Sequence, residues 1–296
     1  MKLLVIGHSV VDIFIENDRE VLKPGGIYYT ALGFTLMKSK SDEIFLASSL
    51  DEKYSYLFNI LYSHVDTSYV DKTDKIPRVN LTLCKNQERG EKYFNLTEKL
   101  DITKLGNLNK FEGILINMIT GFDLDLSSLQ LIRETFHGEI YIDIHTLSRG
   151  LDEQNRRHFR QVPSYAQWLE CADIVQVNEN ELKTISSATD ELSEVEEVLS
   201  YRPKILIITR GEKGATLYYK DKSGRHSTSE DAIRVEAINQ IGCGDVFGAA
   251  FFYSYILSRD MQASLRKANI AAGTITEHND FKNFDVLRND ILKRFG

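Results

Sequence analysis

The sequence contains little cysteine and little proline, and it has no long apolar run. Its 296 residues include four prolines and three cysteines, Cys84, Cys171 and Cys243. The cysteines lie far apart and form no C-x-x-C pair, which argues against both a disulfide framework and a zinc site. We find no internal repeat and no stretch rich in glycine and serine, so the pattern indicates no flexible linker.

The sequence also lacks a cluster of positive charge. Its formal net charge is −7, and no run of Lys or Arg marks a surface for a phosphate backbone. We therefore expect no nucleic-acid partner. An acidic protein can still hold an anion locally, through backbone dipoles at a helix start or through a metal ion.

The apolar run at the amino terminus is short. Residues 1–6 are mostly apolar, but Gly7, His8 and Ser9 follow at once. The run is too short for a signal sequence or a membrane span, and it is typical of a buried strand that enters a turn. We therefore expect a cytoplasmic protein without a membrane partner.

Short apolar runs alternate with stretches of helical periodicity, which is typical of βα units on a largely parallel sheet. The clearest predicted strands are residues 3–6, 44–47, 113–116, 140–143, 174–177 and 205–208. Helical periodicity is clear in residues 192–201 and 245–258. The pattern predicts an α/β fold.

Two segments, residues 10–22 and 78–96, are rich in β-forming residues and differ from the rest of the chain. Their pattern predicts antiparallel hairpins beside the main sheet. A small sheet attached to an α/β body is suited to cover a cleft as a lid. Because no linker flanks these segments, we expect an insertion within a single domain that spans residues 1–296.

The sharpest motif lies in residues 242–245, Gly-Cys-Gly-Asp, directly before an apolar helical stretch. A Gly-x-Gly turn can aim successive N–H groups at one point, and the start of the following helix adds a positive dipole. A carboxylate at Asp245 can then take a proton from a hydroxyl that attacks a phosphoryl group. The alternative is a simple glycine turn whose Asp is favoured by the helix dipole.

These four residues resemble the Gly-Ala-Gly-Asp signature of the ribokinase (PfkB) family of sugar and nucleoside kinases. The resemblance implies a ribokinase-like three-layer α/β/α sandwich with a small β-sheet lid. It also implies that Asp245 is the catalytic base and that the amides of Gly242, Cys243 and Gly244 form an anion hole.

Further matches follow in the family's order. Residues 7–12 resemble the family's G-x-x-x-x-D, which implies that Asp12 holds substrate hydroxyls. Gly25 and Gly26 resemble the di-glycine that lets substrate approach the backbone. The alternative for Asp12 is a turn residue without contact to a ligand.

The family's N-x-x-E pattern is matched by Asn178 and Glu181. The resemblance implies that Glu181 helps to hold Mg²⁺ through water near the phosphates, which is consistent with the few protein ligands that Mg²⁺ needs. Asn at a helix N-cap with Glu three residues later is also an ordinary capping arrangement, and the two roles are compatible.

The nucleotide loop of the family, T-x-G-x-x-G, is matched by Thr209, Gly211 and Gly214. The resemblance further implies that residues 268–272, with Asn269, wall the adenine of ATP. The alternative for residues 209–214 is a hairpin turn between two strands.

The sequence departs from the family pattern at several positions. Asn239 and Gln240 stand where the family usually has Asp-Thr, which puts dependence on a monovalent cation in doubt. Thr30 replaces an Asn of many sugar-specific members, so plain ribose is not favoured as acceptor. Asp143 begins a stretch that stands in place of the family's D-x-N, with Arg149 as a match to a family Arg. By their place in the family's order, we expect Thr30 and Asp143 to bind the acceptor together with Asp12, Gly25 and Gly26.

The sequence therefore predicts an ATP- and Mg²⁺-dependent kinase that phosphorylates a hydroxyl of a small polyhydroxylated acceptor, with an inositol-like polyol as one form. The alternatives are a nucleoside kinase, a phosphosugar kinase and a silent metabolite or nucleotide sensor. A phosphosugar would need cations in the cleft, for which Arg78, Arg89 and Arg149 are candidates. The resemblance also implies a homodimer formed through the lid, where an exposed sheet edge would invite pairing.

Overall fold

The computed structural model describes residues 1–16, 19–82, 90–278, 281 and 283–295. The strands of this part of the chain are β1 (Lys2–Ile6), β2 (Ser9–Glu16), β3 (Arg19–Gly26), β4 (Glu43–Asp51), β5 (Asp66–Thr73), β6 (Arg78–Thr82), β7 (Gly90–Phe94), β8 (Gly113–Asn117), β9 (Glu139–Asp143), β10 (Arg149–Leu151), β11 (Arg157–Phe159), β12 (Ile174–Asn178), β13 (Ile205–Thr209), β14 (Ala215–Asp221) and β15 (Gly224–Glu230). The helices are α1 (Ile27–Met37), α2 (Ser55–Tyr62), α3 (Leu126–Thr135), α4 (Tyr165–Leu169), α5 (Glu179–Leu182), α6 (Glu191–Ser200), α7 (Cys243–Ser258), α8 (Met261–Thr276) and α9 (Phe284–Arg294).

The main sheet has nine strands in the order β15-β14-β13-β12-β9-β8-β1-β4-β5. From β13 to β5 all neighbours pair in parallel, and β14 and β15 add an antiparallel edge. All six strands that the apolar runs predict are present, and the two predicted helices correspond to α6 and α7. The apolar runs are continuous because strands of a parallel sheet are buried on both faces.

Two helical layers cover the main sheet. Along β1, Leu3 and Val5 pack into one apolar cluster and Leu4 and Ile6 into the other, because successive side chains point to opposite faces. Helices α1, α2, α7, α8 and α9 cover the first face, and α3, α4, α5 and α6 cover the second. The result is the three-layer α/β/α arrangement that the family resemblance implies.

A second sheet of four strands, β3-β2-β6-β7, lies beside the main sheet and contains both predicted β-rich segments. Strand β2 pairs antiparallel with β3, but it pairs in parallel with β6. The prediction of antiparallel hairpins is confirmed in both segments, because β2 pairs with β3 and β6 pairs with β7 in this way. The two hairpins join through the parallel pair of β2 and β6, since the chain returns to the main sheet through α1, β4 and β5 before it enters β6.

The short hairpin formed by β10 and β11 is not predicted by any pattern in the sequence. This hairpin meets the small sheet at β7, where the Tyr93 N–H donates to the Asn155 carbonyl over 3.0 Å and Lys92 bridges to Arg156. In the described part of the chain, no helix is long and apolar enough to cross a membrane.

Candidate active site

A cleft lies between the small sheet and the carboxyl ends of the central parallel strands, where ligands bind in open α/β sheets. The space between its walls, counted together with the part that is open to solvent, is about 350 Å³. Its described lining residues are Val10, Asp12, Gly26, Tyr29, Val79, Leu81, Glu91, Tyr93, Ile119, His145, Ile241, Gly242 and Asp245. Two predicted functional carboxylates, Asp12 and Asp245, therefore share one cleft.

The glycine motif forms the entry to α7. Gly242 has φ +77°, and a Cβ there would lie 2.1 Å from Cγ of Tyr29, so this position accepts only glycine without rearrangement. Helix α7 then begins at Cys243, and Asp245 lies in its first turn. The first N–H groups of a helix have no acceptor within the helix, so α7 presents amides and a positive dipole end at the cleft.

The amide of Cys243 is partly used by the loop itself. It donates to the carbonyl of Gln240 over 3.4 Å, which is a long hydrogen bond. The first bond of the helix is made by the Val246 N–H, which donates to the Gly242 carbonyl over 3.0 Å. The amides of Gly244 and Asp245 fall between these two bonds and are the best placed for an anion.

Asp245 has a partner that the sequence analysis missed. The side-chain amide of Asn117 donates to Oδ1 of Asp245 over 2.6 Å and to Oγ1 of Thr30 over 2.9 Å. Thr30 is fully buried and is not among the residues that line the cleft. The structure thus places Thr30 behind Asp245, and the expected contact between Thr30 and substrate is not supported by its position.

Close contacts in the structure explain why both Gly25 and Gly26 are glycines. A Cβ at Gly25 would lie 2.2 Å from Oδ1 of Asp12, and a Cβ at Gly26 would lie 2.4 Å from the carbonyl oxygen of His8. Gly26 also has φ +62°, which turns the chain into α1. These two glycines therefore allow Asp12 to point into the cleft and the chain to turn beneath it.

Asp143 lies behind the glycine motif, at the end of β9. Nε2 of Gln176 donates to Oδ2 of Asp143 over 2.9 Å and to the carbonyl oxygen of Gly244 over 3.1 Å. Burial, followed by the nearby carboxylates of Glu181 and Asp245, raises the pKa of Asp143 well above its ordinary value. Asp143 is thus a buried carboxyl beside the cleft, and its neighbour His145 is the residue that lines it.

Asn178 and Glu181 form a complete capping box at the start of α5. The Glu181 N–H donates to Oδ1 of Asn178 over 2.9 Å, and the Asn178 N–H donates to Oε2 of Glu181 over 2.8 Å. The other carboxylate oxygen, Oε1, lies 3.9 Å from Nη2 of Arg149. The capping alternative is therefore correct, and it still leaves one oxygen of Glu181 directed away from the cap.

Arg149 links the small sheet to the body. Its Nη1 lies 3.5 Å from Oε1 of Glu91 on β7, while its Nη2 faces Glu181 on α5. Its guanidinium also stacks over the ring of Phe159, with 4.9 Å between Cζ and the ring centroid. Glu91, which the sequence analysis missed, thus connects the lid to the predicted metal carboxylate through one arginine.

The residues predicted to bind the nucleotide lie in the turn between β13 and β14 and on the neighbouring helix α8. Residues 210–214 form the turn between β13 and β14, so the hairpin alternative is correct as a description of the backbone. Gly214 has φ +86°, and a Cβ there would lie 2.0 Å from the Glu230 carbonyl oxygen. Nδ2 of Asn269 donates to that same oxygen over 3.0 Å. Glu230 therefore joins the glycine loop to α8.

The remaining residues predicted to bind the nucleotide here are Thr209, at the end of β13, and Gly211, in the turn, and Asn269 has a second environment. Thr209 donates from Oγ1 to the Val177 carbonyl over 3.3 Å, and Gly211 has φ +56° in the same turn. Asn269 also lines a groove with about 660 Å³ of empty space, beside Ile233 and Ile270. This groove is where the predicted adenine wall lies.

Two of the three cation candidates for a phosphosugar, Arg78 and Arg149, do not line the cleft. Nη1 of Arg78 donates to the Tyr54 hydroxyl over 3.1 Å, Arg149 lies between two carboxylates, and Arg89 falls outside the described residues. No lysine or arginine is among the described residues that form the cleft wall.

The donor chemistry beside the cleft fits Mg²⁺. No cluster of three or more His, Cys, Asp or Glu side chains occurs within the described ranges. Mg²⁺ usually keeps several waters and takes only one or two protein carboxylates along with substrate phosphates. Glu181 and Asp143 supply two such carboxylates, and their mutual repulsion would be relieved by a cation.

Comparison with known proteins decides the family. The model described as pfkB family carbohydrate kinase matches residues 51–283. The chain belongs to this family. Over 277 residues, this PfkB kinase is 24% identical to the fructosamine kinase FrlD of Bacillus subtilis, and the match covers 90% of the chain and 88% of the relative. It is 25% identical to the fructokinase of Salmonella typhimurium over 267 residues, covering 86% and 84%.

Solved structures confirm the ribokinase-like fold. A pyrophosphate-dependent kinase of the ribokinase family, complexed with a pyrophosphate analogue and myo-inositol, superposes with a TM-score of 0.80 at 13% identity, covering 99% of each chain. The ATP-bound fructokinase of Xylella fastidiosa superposes with a TM-score of 0.76 at 12% identity, covering 100% of this chain and 99% of the other. The prediction of a phosphotransferase is confirmed by the family match.

Proposed function

We propose that this PfkB kinase transfers the γ-phosphoryl group of ATP to a hydroxyl of a small polyhydroxylated acceptor. The observation that carries the proposal is that Asp12 and Asp245 line one cleft at the start of α7. One carboxylate can hold acceptor hydroxyls, and the other lies beside helix amides that can stabilise a phosphoryl group.

The acceptor lies between the two sheets in this proposal. Asp12 accepts hydrogen bonds from its hydroxyls, and the apolar walls of Val79, Leu81 and Tyr93 pack against its carbon skeleton. A neutral polyol or sugar suits this wall better than a phosphosugar, because the phosphate of the acceptor would meet carboxylates and no lysine or arginine among the described lining residues. Fructosamine kinase and fructokinase relatives, and a similar kinase solved with myo-inositol, support the same acceptor class.

Asp245 acts as general base in the transfer. It takes the proton of the acceptor hydroxyl as that oxygen forms a bond to the γ-phosphorus, and the bond between this phosphorus and the leaving oxygen of ADP breaks. The amides of the Gly242–Asp245 turn, with Gly244 and Asp245 best placed, donate to the phosphoryl oxygens that carry charge in the transition state. Cys243 contributes backbone only.

The nucleotide lies along the turn of residues 209–214 and the groove beside Asn269. ATP as donor is supported by the ATP-bound fructokinase neighbour. Glu181 and Asp143 would hold Mg²⁺, with Glu181 acting through water because its Oε2 is used in the helix cap, and the bound ion would screen the negative charge of the phosphates. This assignment moves Asp143 from the acceptor side, where the sequence analysis put it, to the metal side.

The small sheet closes over the cleft as a lid of the single domain. Its β7 edge already meets the hairpin of residues 149–159, whereas β3 forms the opposite end of the four-stranded order. An edge strand of this kind can pair with another copy, so we propose that a homodimer forms through β3. Light scattering coupled to size exclusion measures this directly, and a monomer at assay and crystallisation concentrations contradicts it.

The kinase assignment is tested by an acceptor screen. The protein is incubated with Mg-ATP, and ADP release is followed with sugars, inositols, aminated sugars, nucleosides and sugar phosphates. In a parallel series pyrophosphate replaces ATP, and the phosphorylated acceptor is measured instead of ADP. Asp245→Asn is the test variant. Asp190→Asn is the matched control, because Asp190 caps α6 on the opposite helical layer and Asn is an equally good cap.

We expect ADP release that requires one neutral acceptor class, persists in Asp190→Asn and falls by roughly a thousandfold or more in Asp245→Asn while ATP still binds. Equal turnover in Asp245→Asn and wild type contradicts the assignment of the base. Ligand-induced stabilisation without turnover for any acceptor or donor favours the sensor alternative, and turnover with nucleosides alone favours a nucleoside kinase.

A further inference from the structure

We propose that Asn117 is a positioning residue that orients the Asp245 carboxylate for proton transfer and is itself held in place by Thr30. The inference rests on the proposed role of Asp245 as general base. It assigns a task to one residue that the sequence analysis missed and gives Thr30 a task other than contact with the acceptor.

The geometry fixes the Asn117 side chain at both of its donor positions. Asn117 is the last residue of β8 and is 1% exposed. Its NH₂ group donates to Oδ1 of Asp245 over 2.6 Å and to Oγ1 of Thr30 over 2.9 Å. Because an amide NH₂ carries two hydrogens in one plane, satisfying both acceptors leaves the amide one orientation.

The backbone of Asn117 is held as firmly as its side chain. A Cβ at Gly7, on the neighbouring strand end, would lie 2.8 Å from the Asn117 carbonyl oxygen, so the two strand ends are in close contact. Asn117 is also in register with Asp143 on β9. The amide is therefore mounted on the rigid central sheet, whereas Asp245 lies on the helix that follows a glycine turn.

This arrangement suits a base that must hold one orientation. A donor on Oδ1 fixes the plane of the carboxylate, and in the proposed reaction Oδ2 takes the acceptor proton. An amide neither gains nor loses a proton in the working pH range, so it donates under all assay conditions. The ionised carboxylate of Asp245 can only accept, so it selects the NH₂ end of the amide, and Thr30 on α1 holds the second hydrogen of the same NH₂ group.

A purely structural role explains Asn117 poorly. The other residues of β8, from Gly113 to Ile116, are apolar and buried. Oδ1 of Asn117 is buried without a hydrogen-bond partner among the described residues, which is a cost that an apolar residue of similar size would avoid. A polar residue at this position is therefore accounted for by its two donor bonds.

The test compares four variants. Asn117→Leu removes both donor bonds, and Thr30→Val removes the anchor while keeping the shape of the side chain. Thr30→Ser restores the hydroxyl. Thr35→Val is the matched control, because Thr35 is also a buried threonine of α1 but its hydroxyl has no partner within the described part of the chain.

The readout is steady-state kinetics with the acceptor found in the screen, together with thermal unfolding of each variant. We expect kcat to fall roughly a hundredfold in Asn117→Leu and roughly tenfold in Thr30→Val, with KM for ATP nearly unchanged, since the loss is one of orientation. Thr30→Ser recovers most of the turnover lost in Thr30→Val, and Thr35→Val keeps the wild-type kcat.

A second experiment asks whether Asn117 acts on turnover through Asp245 or independently of it. In an Asp245→Asn background, Asn117→Leu is expected to cost little further turnover, because residues that act as a unit are not additive. The proposal is overturned if Asn117→Leu keeps wild-type kcat, if its full loss recurs in the Asp245→Asn background, or if Thr30→Val and Thr35→Val lose equally. If Asn117→Leu does not fold, the three threonine variants decide alone.

These outcomes are distinct from failure of the proposed function. An Asp245→Asn variant with wild-type turnover would contradict the kinase mechanism itself. An inactive Asp245→Asn variant beside a fully active Asn117→Leu variant would retain the mechanism and remove only the positioning role.

Discussion

Nε2 of Gln176 donates a hydrogen bond to the carbonyl oxygen of Gly244 over 3.1 Å, and this contact ties the central sheet to the first turn of α7. The same nitrogen donates to Asp143, and the Tyr141 hydroxyl donates to Oε1 of Gln176. The side chain of Gln176 therefore uses both of its ends. Through it, the main sheet sets the position of the helix start that carries the anion-binding amides.

Replacing Gln176 by Leu should loosen this helix start. The substitution leaves a buried carboxyl and a buried hydroxyl without their partner, at a cost of roughly 1–3 kcal/mol in the free energy of unfolding. We expect kcat to fall roughly tenfold as well, because the amides of α7 lose their fixed position. Urea unfolding and steady-state kinetics measure the two effects.

The control for this change is Gln161→Leu. Gln161 also donates from Nε2 to a carbonyl, that of Ser186 over 3.0 Å, but it is exposed and far along the chain from the glycine motif. Gln161→Leu should change neither the free energy of unfolding nor kcat by much. Equal effects of the two substitutions would show that the contact between Gln176 and Gly244 has no special role.

The two glycines of the motif should respond differently to alanine. Gly242→Ala combines a left-handed backbone with a Cβ 2.1 Å from Cγ of Tyr29, so we expect a loss of roughly 2–4 kcal/mol in the free energy of unfolding. At Gly244 the nearest atom to a new Cβ is Nε2 of Gln176, 4.0 Å away, and we expect the fold to survive.

Thermal unfolding of the two alanine variants, measured side by side, checks this difference. Similar unfolding temperatures for Gly242→Ala and Gly244→Ala would mean that the packing of Tyr29 adapts more readily than the close approach implies.

The arrangement of strands and helices could be predicted from the sequence because it depends on local patterns of apolar residues. Apolar runs such as residues 205–208 are long enough to identify a strand buried on both faces, and their alternation with helices predicts parallel pairing. Motif residues such as Asp12 and Asp245 could be expected at one site because the family resemblance assigns one to the acceptor and the other to proton transfer. Their positions, within β2 of the small sheet and in the first turn of α7, follow from no local pattern.

The residues that support the motif could not be predicted in the same way. Asn117 and Gln176 act on Asp245 and Gly244 through contacts between residues far apart in the chain. A local signal existed, since each is a polar residue within or at the end of an apolar strand, but it names no partner. Glu91 and the hairpin of residues 149–159 depend on the packing of the lid against the body, which no short pattern encodes.

The raised pKa of Asp143 should make the stability of the protein depend on pH. Burial, and then the carboxylates of Glu181 and Asp245, raise this pKa above that of the unfolded chain, so the folded state binds more protons. The free energy of unfolding should therefore fall as the pH rises from the unfolded value of about 4 through the raised folded value. Asp143→Asn should lack this part of the decline.

Urea unfolding of wild type and Asp143→Asn between about pH 5 and about pH 8, without Mg²⁺, tests this expectation. Gln176 can still donate to the new amide oxygen, so the variant preserves that contact. The difference in stability between variant and wild type should grow with pH. Two curves that stay parallel across the range would contradict a raised pKa at Asp143.

The bridge from Glu91 through Arg149 to Glu181 should couple closure of the lid to the metal side of the cleft. Arg149→Met removes the cation from between two buried carboxylates, and breaking such a pair usually costs more than the pair contributes. We expect KM for the acceptor to rise roughly tenfold, together with more ADP release in the absence of acceptor, because a lid that closes poorly admits water.

The matched variant is Glu91→Gln, which disturbs only the lid end of the bridge. It should raise KM for the acceptor in the same direction but leave the dependence on Mg²⁺ as in wild type, whereas Arg149→Met should change both. Measurement of KM for the acceptor at several Mg²⁺ concentrations distinguishes the effect of Glu91→Gln from that of Arg149→Met. If Arg149→Met alters the dependence on Mg²⁺ without affecting the acceptor, then Arg149 serves Glu181 alone and the lid closes independently of the bridge.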